Sequence, residues 1–489
     1  MGTPIVVSAP GKVLIAGGYL VLDPAYSGLV VSTSSRFYTV IRAETSTTSR
    51  ICVRSPQFTN ATWDYNVSSV AAQVTVEPSP ENASKNKFVH LALQKTITLA
   101  VEVKGASSVK DILSKGTDIA IVGGNDFYSQ RAQLEARNLP RTLESLSKLT
   151  PFAYTGVELA NVHKTGLGSS AALITSLVSA LLVYLQVIPE SSLTEGDNQG
   201  RRLAHNLAQY VHCFAQGKVG SGFDVAAAVF GSHLYTRFQA SVIQPLMDDQ
   251  VVPLFPVISP SNSEWNYNIG DFKLPPLTRM MLADVDAGSD TPSLVGKVLK
   301  WRQESRDTAN ALWTTLDSLN QELAKTLLQL SELYSRNEKA YIDVVTHAAS
   351  LSASEWSTLT MSKDPVISAF VKVRNTTESI RGKMREMGTL CDVPIEPIEQ
   401  TKLLDACVSL PGVIGGGVPG AGGYDAIWLL VFDPPGSSEE LPSERVGGLW
   451  QSYTELDVSP LLASESMAKG ARIEKLADIA GLKEAVGSA

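Results

Sequence analysis

A chain of 489 residues exceeds the roughly 250–300 residues at which one hydrophobic core stops growing, so at least two packed domains are expected. With 44% hydrophobic and 18% charged residues and a mean hydropathy of +0.04, the composition excludes a disordered, fibrous or membrane-embedded chain. The net charge of -8, without a cluster of Lys and Arg, argues against a nucleic-acid binder, so an anionic ligand has to be met by a few placed cations.

Cys52, Cys213, Cys391 and Cys407 form no C-x-x-C pair and have no paired histidines nearby, which fits reduced thiols rather than a zinc site or a disulfide framework. Val6 stands where a myristoylation signal needs Ser or Thr. The apolar stretch Ala171 to Val187 is interrupted by Ser and Thr and stays below the ~18 apolar residues of a spanning helix. A cytoplasmic location with no membrane partner is expected, and the sequons at Asn60, Asn66, Asn82 and Asn375 are chance matches.

In chain order, Thr3 to Ser8 and Phe37 to Ala43 predict strands around a Gly-rich bend. Asn86 to Thr98 has helical spacing, Val101 to Ile121 suggests strands, Gly123 to Asp126 a turn, and Gln130 to Lys148 a polar helix or loop. Phe152 to Val162 predicts a strand leading into Lys164-Thr165-Gly166-Leu167-Gly168-Ser169-Ser170, and Ala171 to Leu185 a helix. A further helix over Arg201 to Gln216 ends at Gly217, and Gly220-Ser221-Gly222 opens a short apolar helix, Asp224 to Phe230. Turn formers concentrate between Pro253 and Pro276, which places a domain boundary near residue 260 and gives domains 1–260 and 261–489. The second half predicts helices over Thr291–Arg302, Asp307–Leu333, Asn337–Leu351, Pro365–Met387 and Ile398–Leu410. It closes with the Gly-rich run Gly415 to Gly423 and a strand, Asp425 to Phe432.

Backbone N–H groups at the start of a helix converge with the positive end of its dipole, so Gly166 to Ala172 suits a nucleotide phosphate. A Ser-capped helix start gives the same pattern without a ligand. Gly166, Gly168 and Ala171 also match G-x-G-x-x-A, but the sequence after the helix predicts a second helix rather than the strand a dinucleotide-binding unit requires. Gly415, Gly417 and Gly420 occur in the reverse order, after a helix and before a strand. A Walker A motif is absent, because the Gly-Lys pairs at Gly11, Gly217 and Gly296 are each followed by Val.

Ser8-Ala9-Pro10-Gly11-Lys12, Gly166 to Ala172, and Gly415 to Gly423 together resemble the ordered loops of the GHMP kinase superfamily. Pro10 to Val31, Asn125 to Gln130 (NDFYSQ), Ser221 to Gly231 (SGFDVAAAVFG) and Ala287 to Arg302 narrow the resemblance to fungal-type phosphomevalonate kinases. The resemblance implies an α/β and α+β architecture: an N-terminal ribosomal-protein-S5-like domain and a C-terminal ferredoxin-like domain, with the active site between them. It also implies a kinase using ATP and Mg²⁺ on a small-molecule acceptor, as a monomer or homodimer. Mevalonate kinase, diphosphomevalonate decarboxylase and a catalytically dead ligand sensor of the same fold are the alternatives.

The resemblance assigns Asp224 to the acceptor, where a capping-box reading of S-x-x-D competes, and Lys12 to charge neutralisation between donor and acceptor. It assigns Lys164, Gly166, Leu167, Gly168, Ser169, Ser170 and Ala171 to the ATP phosphates, with Ser170 and Ser169 toward Mg²⁺, and places Asn125 near adenine. Acceptor contacts are implied for Lys12, Gly17, Gly18, Tyr19, Ser221, Ser289, Asp290, Thr291 and Gly420. Many GHMP kinases carry Gly-Glu where this chain has Gly17-Gly18, so no acidic role transfers to Gly18. Lys218 is a further candidate cation, whereas His205, His212 and His233 read as packing or surface histidines.

Overall fold

A computed structural model describes residues 3–44, 49–70, 73–82, 84–248, 252–285, 291–356, 364–436 and 440–487. Two long antiparallel strands, β1 (Ile5–Ala16) and β2 (Ser27–Ala43), are buried along most of their length, including the polar Ser32, Thr33, Ser35 and Arg36 in the middle of β2. They are followed by β3 (Arg50–Arg54), β4 (Thr62–Val70), β5 (Gln73–Pro78), helices α1 (Lys87–Lys104) and α2 (Ala106–Leu113), and β6 (Thr117–Gly123). Helices α3 (Ser169–Tyr184), α4 (Gln199–Gln216) and α5 (Phe223–Phe230) precede two short strands, β7 (His233–Thr236) and β8 (Asn268–Asp271). Along β2, one edge pairs with β1, while the other is shared between β6 and β7. Helix α3, buried nearly all round, packs on β1 and β2 with α1, α4 and α5 against it.

The second layer is an antiparallel sheet built from β9 (Thr278–Asp284), β10 (Val413–Gly417), β11 (Ala426–Phe432) and β12 (Ser459–Leu461), in the order β10-β11-β9-β12. Between its strands run α6 (Thr291–Glu304), α7 (Arg306–Arg336), α8 (Glu338–Ala348), α9 (Pro365–Cys391) and α10 (Ile398–Val408), with α11 (Pro442–Ser452) ahead of β12. The chain then returns to the first layer, where β13 (Arg472–Ile473) pairs with β1. Strand β8, which follows residue 260, pairs with β7, so it too belongs to the first sheet.

Three local expectations are corrected. Val101 to Lys104 completes α1 rather than starting a strand, and Gly105, at φ 84°, separates it from α2 before β6 begins at Thr117. The β-branched residues there mimic a strand, but helical packing against the first sheet prevails. Phe152 to Val162 forms no strand; it runs as turns, with Phe152 at φ 55° and Gly156 at φ 74°, held by Thr155 N–H donating to Gln57 O at 2.8 Å. The Gly-rich bend expected after Ser8 is instead a bulge inside β1, where pairing with β2 shifts between Pro10 and Lys12.

Candidate active site

The bulge in β1 is shaped by what lies against it. A Cβ on Gly11 would come within 2.8 Å of Leu167 O and 2.9 Å of the Phe127 ring, so only glycine lets the strand approach the loop this closely. Across that contact the backbone N–H of Lys12 donates to Leu167 O at 2.9 Å, and Lys12 Nζ donates to Gly166 O at 2.9 Å. The lysine therefore lies along the phosphate-loop candidate, with its Nζ 5.3 Å from the centre of the Phe223 ring. Burial pulls its ammonium below the usual lysine range, opposed by the negative charges of Asp224 and Asp425.

Gly166 and Gly168 both take positive φ, and Gly168 caps α3 with no side chain bonded to the helix start. The Ser-capped reading is thus not formed, and the first N–H groups of a 16-residue helix remain for another acceptor. Helix α5 behaves alike: its cap is Gly222 at φ 85°, so Ser221 and Asp224 make no capping box. Asp224 Oδ1 accepts from Val225 N–H at 2.9 Å, and Oδ2 stands 3.8 Å from His212 Nδ1.

The third loop comes from the second layer. Gly420 N–H donates to Leu14 O at 3.1 Å and Tyr19 Oη to Ala421 O at 2.7 Å. Together the loops enclose a cavity of about 910 Å³ between the layers. Lys12, Gly166, Leu167, Gly168 and Asp224 line it on one side; Gly420 and Asp425 face it from the other. Gly18, Tyr19 and Ser221 also reach it. Gly18 sits at φ 37°, a conformation that L side chains rarely adopt, and an added Cβ would meet the flexible end of Met384 at 2.7 Å.

Other expected residues lie elsewhere. Gly17 abuts Gly28, where an added Cβ would come within 2.5 Å of Cα, so its part is to let two backbones meet. The Asn125 amide is taken up locally, donating to Thr150 O at 3.0 Å and accepting from Ala153 N–H at 2.8 Å, and it does not line the cavity. Lys164 is exposed and pairs through its backbone with Tyr128. Ser169, Ser170 and Ala171 form the first turn of α3 just behind the cavity wall, and Ser170 Oγ lies 3.1 Å from His212 Nε2. Ser289 and Asp290 fall outside the described residues. Thr291 is the first residue of α6, whose Val295 and Leu299 form part of the wall.

Three cavity residues were missed in the sequence. Asp425, just after the Gly-rich run, faces Lys12 from the second layer. Arg237 donates to Leu22 O at 2.5 Å, Gly220 O at 2.8 Å and Val219 O at 3.4 Å, and no carboxylate lies within ion-pair distance of it among the described residues. Its positive charge is thus held mainly by carbonyls and the Phe238 ring, beside Lys218. His212 belongs to a polar stripe, Gln209, His212 and Gln216, whose i, i+3, i+7 spacing on an amphipathic helix is the signal that marks it.

The GHMP kinases N terminal domain family matches residues 143–232, the stretch that carries the glycine loop Gly166 to Ala172 and Asp224. A phosphomevalonate kinase of Arabidopsis thaliana, described as peroxisomal, is 37% identical over 492 residues, covering 94% of each chain. One from Aspergillus fumigatus is 36% identical over 97% of this chain and 98% of its own, and one from Candida albicans 35% identical over 87% and 89%. Among solved structures, a Lin0012 protein from Listeria innocua superposes with a TM-score of 0.62 at 16% identity, over 97% of this chain and 100% of its own. The phosphomevalonate kinase of Streptococcus pneumoniae, in complex with phosphomevalonate and AMPPNP, superposes with a TM-score of 0.57 at 16% identity, over 94% of this chain and 100% of its own. These two show a shared fold. With the three loops gathered on one cavity and near full-length identity to several such enzymes, the chain belongs to the phosphomevalonate kinase family of the GHMP kinases.

Proposed function

We propose that this chain transfers the γ-phosphoryl group of ATP to 5-phosphomevalonate, giving 5-diphosphomevalonate and ADP, in the mevalonate route to isoprenoids and sterols. The observation that carries this reading is that Lys12 lies on the carbonyl of the phosphate loop while its charge is felt by Asp224 and Asp425 on the same cavity. An oxygen of the acceptor phosphate attacks the γ-phosphorus. The new P–O bond forms as the bond to the β–γ bridging oxygen breaks, and that electron pair leaves with ADP. Both reactants are anions, so alignment and charge neutralisation are the main requirements.

The start of α3 and the N–H groups of its loop receive the donor phosphates, and Lys12 offsets charge between donor and acceptor. Ser170 and Ser169 would hold Mg²⁺, since hydroxyl oxygens suit a hard cation that keeps most of its shell as water and phosphate oxygen. When bound there, the ion would neutralise charge on the donor phosphates. The acceptor phosphate monoester has a second pKa of about 6, so it enters mostly dianionic and needs orientation more than deprotonation. Asp224 supplies that orientation from the first turn of α5, and Arg237 adds positive charge on the acceptor wall.

Coupled ADP release over phosphomevalonate, mevalonate, diphosphomevalonate, homoserine and galactose tests this reading. Rapid turnover of phosphomevalonate alone supports it, whereas robust turnover of mevalonate or release of CO₂ contradicts it. A cytoplasmic location belongs to the same proposal, and cell fractionation tests it against the peroxisomal description of the Arabidopsis relative.

A further inference from the structure

His212 lies where the starts of two helices meet. It is carried by the last turns of α4, is almost fully buried, and forms part of the cavity wall. Its Nε2 is 3.1 Å from Ser170 Oγ, in the first turn of α3, and 3.1 Å from Gln216 Nε2. Its Nδ1 is 3.8 Å from Asp224 Oδ2, in the first turn of α5. The ring thus presents one nitrogen to the Ser170 hydroxyl and the Gln216 amide and the other to the Asp224 carboxylate. The contact at Nε2 ties the rotamer of the Ser170 hydroxyl to the ring.

A ring held only by packing has no need to place a nitrogen toward each of two site residues. Here one imidazole meets the serine on the nucleotide side and the aspartate on the acceptor side. The Phe88 ring, centred 6.5 Å away, closes over it. We infer that His212 is a positioning residue that sets the rotamers of Ser170 and Asp224 together, so that the donor and acceptor halves of the site are aligned by one side chain. The inference rests on the roles proposed above for Ser170 and Asp224. It requires no change in the charge of His212.

The test is a pair of double-mutant cycles built on His212→Phe, which keeps a ring of similar size but removes both nitrogens, and His212→Gln, which returns an amide donor and acceptor. Turnover by His212→Phe is expected to fall by about 10- to 100-fold, the scale typical for a group that orients another, with His212→Gln recovering a substantial part. In a Ser170→Ala or Asp224→Asn background, adding His212→Phe is expected to cost much less than it does alone. Calorimetric titration with AMPPNP gives a readout independent of turnover: His212→Phe and Ser170→Ala are expected to weaken binding by the same factor, with no further loss in the double variant. The inference is overturned if the losses multiply in both backgrounds, or if His212→Gln is no better than His212→Phe in a folded protein. If Ser170→Ala and Asp224→Asn are themselves unimpaired, the functional reading fails and His212 falls with it. If they are impaired while the cycles show no coupling, only His212 is excluded.

Discussion

Gly168 and Lys12 share one space: a Cβ on Gly168 would lie 3.0 Å from Lys12 Cε and 3.1 Å from its Cγ. The glycine that opens α3 is therefore also the residue over which the lysine passes to reach Gly166 O. Gly168 further holds φ 77°, a conformation that costs an L side chain about 1–2 kcal/mol. Gly168→Ala is expected to lower the thermal midpoint by a few degrees and, by displacing Lys12, to reduce kcat/KM for ATP at least ~10-fold. Calorimetric unfolding and steady-state kinetics check the two effects separately, and normal kinetics would detach Lys12 from the phosphate loop.

Asp224→Asn keeps size and shape but removes the charge. Because Gly222, not Ser221, caps α5, loss of this carboxylate should cost stability about 1 kcal/mol or less. If Asp224 organises the acceptor, kcat falls by roughly 10² or more while AMPPNP affinity stays near normal. Comparing rates at pH 7 and pH 9 separates orientation from proton removal: a variant lacking only a base recovers at the higher pH, and this one is expected not to.

Arg237 contributes a guanidinium with no carboxylate within ion-pair distance among the described residues, held by Leu22, Val219 and Gly220 carbonyls. Such a charge favours an anionic acceptor beside it. Arg237→Met is expected to raise KM for phosphomevalonate by about 10- to 100-fold, the worth of a charge-assisted contact, with KM for ATP changed far less. Equal losses for both substrates in steady-state kinetics would mark Arg237 as a structural clip.

Stability should fall on the acid side for a reason remote from the reaction. Burial pushes His205 and His233 down to about 4, well below about 6.5 in an unfolded chain. The fold keeps them neutral, so their contribution is full above about pH 6.5 and is lost as pH falls toward 4, because the unfolded state takes up the protons. Unfolding free energies from urea titrations at pH 7.5, 5.5 and 4.5 are expected to fall steadily, by roughly several kcal/mol in total. The slope should be flatter in His205→Gln/His233→Gln, and an unchanged slope would contradict the assignment.

The ordered glycine loops were legible because their spacing survives as sequence: Gly11, Gly168 and Gly420 each stand where the backbone needs close approach or positive φ. Most helices were legible too, and α4 and α7 carry strong apolar periodicity. What remained hidden depends on tertiary contact. His212 reads as packing until α4 sets it between α3 and α5, and nothing in the local sequence singles out Arg237 until three carbonyls converge on it. The strand misassigned to Phe152–Val162 shows the opposite error, where local apolar character outweighed turn conformations fixed by the neighbouring Gln57–Thr59 segment.

The most direct measurement of the central claim is ³¹P NMR of the purified chain mixed with ATP, Mg²⁺ and 5-phosphomevalonate. The account predicts loss of the phosphate-monoester signal and growth of the paired signals of a diphosphate ester in step with ADP, sharply slowed in Asp224→Asn. A monoester signal that persists while ATP is hydrolysed to inorganic phosphate, or equal rates in Asp224→Asn, would contradict it.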